Sequence, residues 1–304
     1  MIRYASPQKG ETSLNQKSIA ERLFNSVNIG LLLLISALML FPFLYLFSVS
    51  FSSYEDFLGS RLLLWPSNWT TDAYAYIWSS RTFRQALWTT TLVTVLGTLV
   101  NLFFTSTMAY ALSRPIIGQR SVMFMVVFSL LFSAGMIPTY LVVQATGLLD
   151  SIWSLILPVA IAPFNLIVIR QFFLNIPGEM IEAGIVDGAN DLQIFYKIIL
   201  PLSKPALAAF SLFYAVTHWN NYFAPILYIN DSSKWTIQVV LRQIVVVGET
   251  TGTLGGDNMF AAQPPPPETI QMAAILMATL PILIVYPFLQ KHFAKGVMLG
   301  AVKG

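Results

Sequence analysis

The 304-residue sequence is 56% hydrophobic and only 10% charged, with a formal net charge of +3 and no cysteine. A soluble domain carries roughly 25% charged residues, so this composition excludes an ordinary soluble protein and points to a membrane one. The missing cysteines exclude disulfides, thiol nucleophiles and cysteine metal ligands, and the two isolated histidines, His218 and His292, do not make a metal site.

The first 26 residues are a polar N-terminal segment. The apolar run after them is too long for the core of a signal peptide and no small-residue cleavage site follows closely, so the first helix is expected to stay in the membrane. A membrane-crossing helix needs about 20 apolar residues. Six runs meet this and predict helices over 27–50, 86–113, 121–144, 151–169, 206–229 and 269–290. Transmembrane barrels show short alternating segments instead of continuous apolar runs. The expected fold class is therefore an all-α membrane protein with six transmembrane helices spanning 27–290, followed by a C-terminal tail, 291–304.

Between the first and second helices lies an aromatic-rich loop, 51–85. The second helix carries Asn101, Thr105, Ser106 and Thr107 and the third Ser129 and Ser133, small polar residues of the kind that pack helix to helix, with a cavity lining as the alternative. Pro138 and Pro158 predict bends in the third and fourth helices.

With six spans, both termini and the loops near 114–120 and 170–205 share one side. That side carries Arg3, Lys9, Lys17, Arg22, Arg114, Arg120, Arg170, Lys197, Lys204, Lys291, Lys295 and Lys303, against Arg61, Arg81, Arg84, Lys234 and Arg242 on the other. Basic residues mark the cytoplasmic side, which places both termini and the 171–205 loop there and the 231–268 loop outside. No cluster of basic residues interleaved with aromatics speaks for nucleic acid.

Within 171–205, Pro177 and Glu179 open a helix that Gly188 stops in the left-handed conformation, and Asn190 or Asp191 caps a second piece. In that piece Leu192, Phe195 and Ile199 recur at helical spacing, Pro201 ends it, and Pro205 opens the next span. The acids Glu179, Glu182, Asp187 and Asp191 disfavour an anionic lipid surface as the target, so a groove on a protein partner is the better fit for this knob. The chain has no GxxxxGK[ST] loop, so any energy from ATP comes from a partner.

The fifth helix contains Trp219, Asn220, Asn221 and Tyr222. Aromatic rings stack on the apolar faces of sugars while amides and hydroxyls serve sugar hydroxyls; the other reading of the four is an interfacial aromatic belt with packing amides. The 231–268 loop holds glycine clusters and a proline run that cannot sustain a helix, and is expected to be an exposed, adaptable projection.

The spacing Glu182-Ala183-Gly184, three residues, Gly188, nine residues, Ile198-x-Leu200-Pro201 resembles the EAA loop of bacterial ABC importer permeases, with Gly184 in place of the third residue, an alanine. Asp187, Gly188, Ala189, Phe195 and Pro201 resemble the carbohydrate-importer version, the maltose-permease type. The end of the chain, Gly296 to Gly304, is similar to the glycine-rich tail of the same permeases. The resemblance implies a non-catalytic transport subunit that is half of a sugar-conducting pore in the bacterial cytoplasmic (inner) membrane. It implies a second permease subunit, two ATP-binding subunits that carry the ATP and Mg, an extracytoplasmic solute-binding protein, and no cofactor on this chain. Glu182, Ala183, Gly184, Asp187, Gly188, Leu192, Phe195, Ile198, Leu200 and Pro201 would then couple to the ATPase, with Leu192 and Phe195 the apolar anchor. Gly300, Val302, Lys303 and Gly304 would reach toward it.

The alternatives are an importer permease for a non-sugar solute and a proton-coupled transporter using His218. The second lacks an acidic relay partner in spans two to five.

Overall fold

The computed structural model describes residues 19–59, 63–248, 254 and 265–301. Among these residues the chain is helical, with one isolated antiparallel bridge between Ser52 and Trp69. Helix α1 (Ile19–Ser50) is apolar on every side and stays exposed along most of its length, as befits a helix whose solvent is lipid. Two short helices follow, α2 (Tyr54–Gly59) and α3 (Asp72–Ser79). Helix α4 (Arg81–Ser113) begins where the Ser80 hydroxyl accepts from the Phe83 amide at 3.3 Å.

Next come α5 (Gln119–Leu131), α6 (Met136–Ala145), two tight turns over Ile152–Leu155 and Leu157–Val159, and α7 (Pro163–Leu174). Helices α8 (Gly178–Val186) and α9 (Asp191–Leu202) form a hairpin before α10 (Lys204–Trp219). The chain ends with α11 (Phe223–Tyr228), α12 (Ile237–Val247) and α13 (Pro267–Ala301).

By length and composition α1, α4 and the Pro267–Val285 part of α13 are sufficient to cross a membrane. The helices expected over 121–144, 151–169 and 206–229 are each interrupted instead, and proline chemistry explains where. A proline has no N–H to give the carbonyl four residues back and its ring crowds that carbonyl. Pro138, Pro163 and Pro225 point back to Ala134, Val159 and Asn221, which lie in or at the edge of the three breaks, 132–135, 160–162 and 220–222. Each proline sits in the first turn of the helix that follows, where its missing N–H costs nothing. The pieces on either side of the 160–162 break are bent by 53°.

Helix α4 is the axis of the packing. Near its start Phe83 and Ala86 join a cluster with Ala73 and Ile77 of α3, Ile237, Val240 and Ile244 of α12 and Ala274 of α13. Midway, Val93 meets Val143, Leu155, Ile156 and Tyr228. At its other end Ala109 and Leu112 pack with Leu166, Ile169 and Phe173 of α7, Ile194, Phe195 and Ile199 of α9, and Phe210 of α10.

Two expectations need correction. The 231–268 segment is not a loop throughout: Ile237–Val247 is helical, its first amide donating to Thr90 Oγ1 of α4 at 2.7 Å, and Ile237, Val240 and Ile244 are wholly buried. The glycine and proline runs that prompted the loop reading lie mostly outside the described residues. The 291–304 tail is not a separate segment up to Ala301, because α13 continues through it and contains Gly300; Val302, Lys303 and Gly304 lie outside the described residues.

Candidate functional site

The hairpin of α8 and α9 is built by local chemistry. Helix α8 ends in a left-handed Gly188 (φ 78°), with the Ala189 amide donating to the Gly184 carbonyl at 2.9 Å and the Gly188 amide to that of Ile185 at 3.0 Å. These two bonds close a Schellman turn, which only a residue at ease with positive φ can make. Asn190 then caps α9: its Oδ1 accepts from the Gln193 amide at 2.9 Å while Gln193 Oε1 accepts from the Asn190 amide at 3.0 Å, a reciprocal capping box. Within α9, Phe195–Ile199 forms a wide turn in which the Leu200 amide bonds to Phe195, five residues back, immediately before Pro201. Helix α10 departs from α9 at 80° around Ser203.

The hairpin sorts its apolar residues between two faces. Phe195 is 4% exposed and Ile199 1%, so the expectation that Leu192, Phe195 and Ile199 form an outward face with Leu192 and Phe195 as anchor is corrected: Phe195 and Ile199, with Ile194, root the hairpin in the bundle. The reason is the Tyr110 ring of α4, which lies 5.0 Å from that of Phe195. Leu192 at 67% remains outward and is joined by Val186 at 86%, Ile185, Met180 and Tyr196, none of which sequence reasoning selected as an anchor. Glu182, Ala183, Asp187, Gly188 and Pro201 are exposed on the same hairpin, and Ile198 and Leu200 are half-buried. Gly184 is buried, and a Cβ there would lie 2.7 Å from the Ile198 Cδ1 methyl. Glycine lets Ile198 close down on α8, while the alanine of the usual motif needs only a shift of that flexible methyl.

The four pathway candidates separate at the break after α10. Trp219 is 6% exposed, donates Nε1 to the Ala278 carbonyl of α13 at 3.2 Å, and lines a mostly apolar groove of about 340 Å³ with Thr91, Thr94, Thr98 and Ser211. Asn220 turns its amide back to the Val216 carbonyl at 3.0 Å, and Asn221 Oδ1 accepts from the Ala224 amide at 3.3 Å, starting α11. Tyr222 lies under the guanidinium of Arg242, 5.9 Å from its ring centre.

Next to Trp219, His218 is buried on α10. Its ring rests on Gly97 of α4, where a Cβ would fall 2.5 Å from Nε2, and Nε2 lies 3.1 Å from Asn101 Oδ1. Asn101 Nδ2 in turn donates to the Val159 carbonyl at 2.7 Å, the carbonyl that Pro163 leaves without a helical partner. The partner of His218 is thus an amide that bridges the break before α7. The remaining small polar residues are similarly engaged between or within helices: Thr105 Oγ1 and Tyr214 Oη share a hydrogen bond at 2.7 Å, and Ser106, Thr107 and Ser129 bond to carbonyls of their own helices.

A clamp joins the loop after α6 to the one after α11. Asp150 adopts a left-handed φ of 59°, its Oδ1 accepts from the amides of Asn230 at 2.6 Å and Asp231 at 2.9 Å, and its own carbonyl accepts from Lys234 Nζ at 2.8 Å. The Asp231 amide first, then that of Asn230, holds the Asp150 carboxyl below the usual carboxylate range. Sequence reasoning passed over Asp150, Gly97 and Tyr110; the only local signal was an aspartate after Gly147 in a turn.

Comparison with known proteins agrees with this geometry. The model of the binding-protein-dependent transport system inner membrane component family matches residues 94–299. The polygalacturonan/rhamnogalacturonan transport system permease protein YtcP of Bacillus subtilis is 52% identical over 285 residues, 93% of this chain and 99% of that protein. Protein LplC of the same organism is 49% identical over 286 residues, 94% and 96% of the two chains. A chain in the crystal structure of a bacterial ABC transporter involved in the import of the acidic polysaccharide alginate superposes with a TM-score of 0.84 at 36% identity, covering 91% of this chain and 98% of that one. The chain belongs to the family of binding-protein-dependent transport system inner membrane components.

Proposed function

We propose that this chain is one of two permease subunits of an ATP-driven importer, that its hairpin docks on an ATP-binding subunit, and that its cargo is an oligosaccharide from an acidic polysaccharide. The observation that carries the docking role is the outward apolar patch of Val186, Leu192 and Tyr196 on a hairpin capped at its turn and rooted by Phe195. An exposed apolar patch rimmed by charge suits a groove on a protein partner. The acids Glu182 and Asp187 beside it and the glycine at 188 complete the coupling segment, and Gly300 to Gly304 extend toward the same partner.

The six apolar runs support six spans, three of them broken, and the distribution of lysine and arginine supports both termini and the hairpin in the cytoplasm. The partners are a second permease, two ATP-binding subunits bearing ATP and Mg, and an extracytoplasmic solute-binding protein, all within the bacterial inner membrane system. The cargo class rests on the uronate-bearing polysaccharides named for the YtcP and alginate relatives. In this chain Arg242 beside Tyr222 offers a guanidinium to a carboxylate near the helix break, and Trp219 offers a ring.

Leu192→Asp places a charge that is costly to desolvate in the docking groove. Copurification from gently solubilised membranes is expected to yield the second permease but to lose the ATP-binding subunit. Full retention of that subunit counts against the docking role.

A further inference from the structure

We infer that Tyr110 is a positioning residue that makes α4, a helix to which the hairpin has no direct covalent link, move with the hairpin. The inference rests on the docking role proposed above. The covalent routes from hairpin to bundle run from α8 back through residues 175–177 into α7, and from α9 through Ser203 into α10, where the chain turns by 80°. Neither route passes through α4, so a stroke delivered to α8 and α9 reaches that helix through side chains: the buried cluster that Ala109 and Leu112 share with Ile194, Phe195 and Ile199, and a directional contact at its edge.

Tyr110 supplies that contact. Its ring lies on Phe195 with centres 5.0 Å apart and planes tilted by 35°, and its hydroxyl donates to the carbonyl of Asp191, the first residue of α9, at 3.3 Å. From the other side Arg114, one turn further along α4, donates Nη2 to the Tyr110 hydroxyl at 3.2 Å and lays its guanidinium 5.3 Å from the ring centre. Arg114, Tyr110 and Phe195 thus form one stack from α4 into α9. Phe195 is also the residue whose carbonyl closes the wide turn of α9, a helix irregularity of a type concentrated at functional sites.

The stack has a destination. Helix α4 takes part in all the buried clusters described above and carries Asn101, whose amide holds the Val159 carbonyl at the broken span. A displacement of the hairpin therefore reaches Val159 and the break before α7 through α4, as well as α7 through residues 175–177 and α10 through Ser203.

Because the natural chain has no cysteine, two introduced ones report alone once the partner subunits are made cysteine-free. Ala111→Cys on α4 and Glu179→Cys on α8 are both exposed and outside the stack. In the whole importer purified with its partners, spin labels at these positions are expected to give one narrow distance, the same without nucleotide and with ATP. Tyr110→Ala is expected to broaden it and make it shift with ATP, and Tyr110→Phe, which keeps the ring, to restore the narrow distance. Tyr110→Leu keeps apolar volume without a ring and is expected to behave as the alanine variant; it decides the matter where alanine costs the complex its assembly. A narrow, nucleotide-independent distance in the alanine or leucine variant overturns the inference. So does a distance that already changes with ATP in the Tyr110 protein, since the hairpin and α4 are then not one body. The bound ATP-binding subunit is measured on the same samples, and its persistence in Leu192→Asp overturns the docking role separately from these distances.

Discussion

Two segments fold as short helices outside the long ones, the hairpin over 175–203 and the segment 229–248, and they use the same apolar spacing in opposite ways. In α12 Ile237, Val240 and Ile244 are wholly buried against α3, α4 and α13, where Ala73, Ala86, Ala273 and Ala274 let backbones approach closely. Of the hairpin's large apolar residues only the row of Ile194, Phe195 and Ile199 is buried, and Val186 and Leu192 are left outside. Helical spacing therefore sets that a face exists, and the number of neighbours sets how much of it is covered. The α12 segment has helices around it, while the hairpin has the bundle on one side and is open on the other.

The sharpest way to break this contrast is to put the same charge into both segments. Ile244→Asp loses a fully buried side chain and introduces a carboxyl with no apolar alternative, an expected cost of at least about 3 kcal/mol. The thermal midpoint of the detergent-solubilised protein should fall by many degrees and little intact complex should be recovered. Leu192→Asp should leave the midpoint of this subunit nearly unchanged, within about 0.5 kcal/mol, as surface changes do. Equal loss of stability in the two variants would mean that Leu192 is covered within this chain and that the contrast is false.

A smaller effect sharpens the hairpin side. Asn190→Ala removes the cap that accepts from the Gln193 amide and should cost about 1 kcal/mol, confined to α9. Hydrogen exchange of the Gln193 amide should accelerate roughly fivefold, the factor that corresponds to that energy, with α12 amides unaffected. An unchanged Gln193 rate would show that tertiary contacts at Phe195, not the cap, hold the start of α9.

What could be read from the sequence divides along the same line. Gly188 and the cap at Asn190 act within a few residues of themselves, so the helix, turn and helix of the hairpin were legible, although α9 runs on through Pro201 to Leu202. The direction of Phe195 was not, because Leu192, Phe195 and Ile199 are alike in character and only Tyr110, distant in sequence, chooses between them. The apolar runs were legible as runs, and bends in the third and fourth were expected from Pro138 and Pro158, but the breaks that Pro163 and Pro225 each mark four residues upstream were not. Ile237–Val247 is too short for a span and sits next to glycine and proline runs, which hid a buried helix inside an apparent loop. The bond from Asn101 to Val159 and the seat of His218 on Gly97 depend on helices meeting, which composition does not specify.

The smallest expected effect concerns the start of the 229–248 segment, which Asp150 clamps from afar. The fold holds its carboxyl below the usual carboxylate range, first through the Asp231 amide and then through that of Asn230. The charged form is thus favoured by folding, so the clamp is at full strength above the unfolded value of roughly 3.9 and weakens as pH falls through the lower folded one. At neutral pH no dependence is expected. Below about pH 4 the protection of the Asn230 and Asp231 amides against hydrogen exchange, corrected for intrinsic rates, should decline, while α12 amides stay protected because Ile237 and Val240 need no charge to remain buried. Asp150→Asn, which tolerates the same left-handed backbone, should lower the protection at neutral pH and abolish its acid dependence. Protection of those two amides that is identical at acid and neutral pH would show that Lys234 and the Tyr228 carbonyl, bonded to the Asp150 backbone, hold the loops together without the carboxylate.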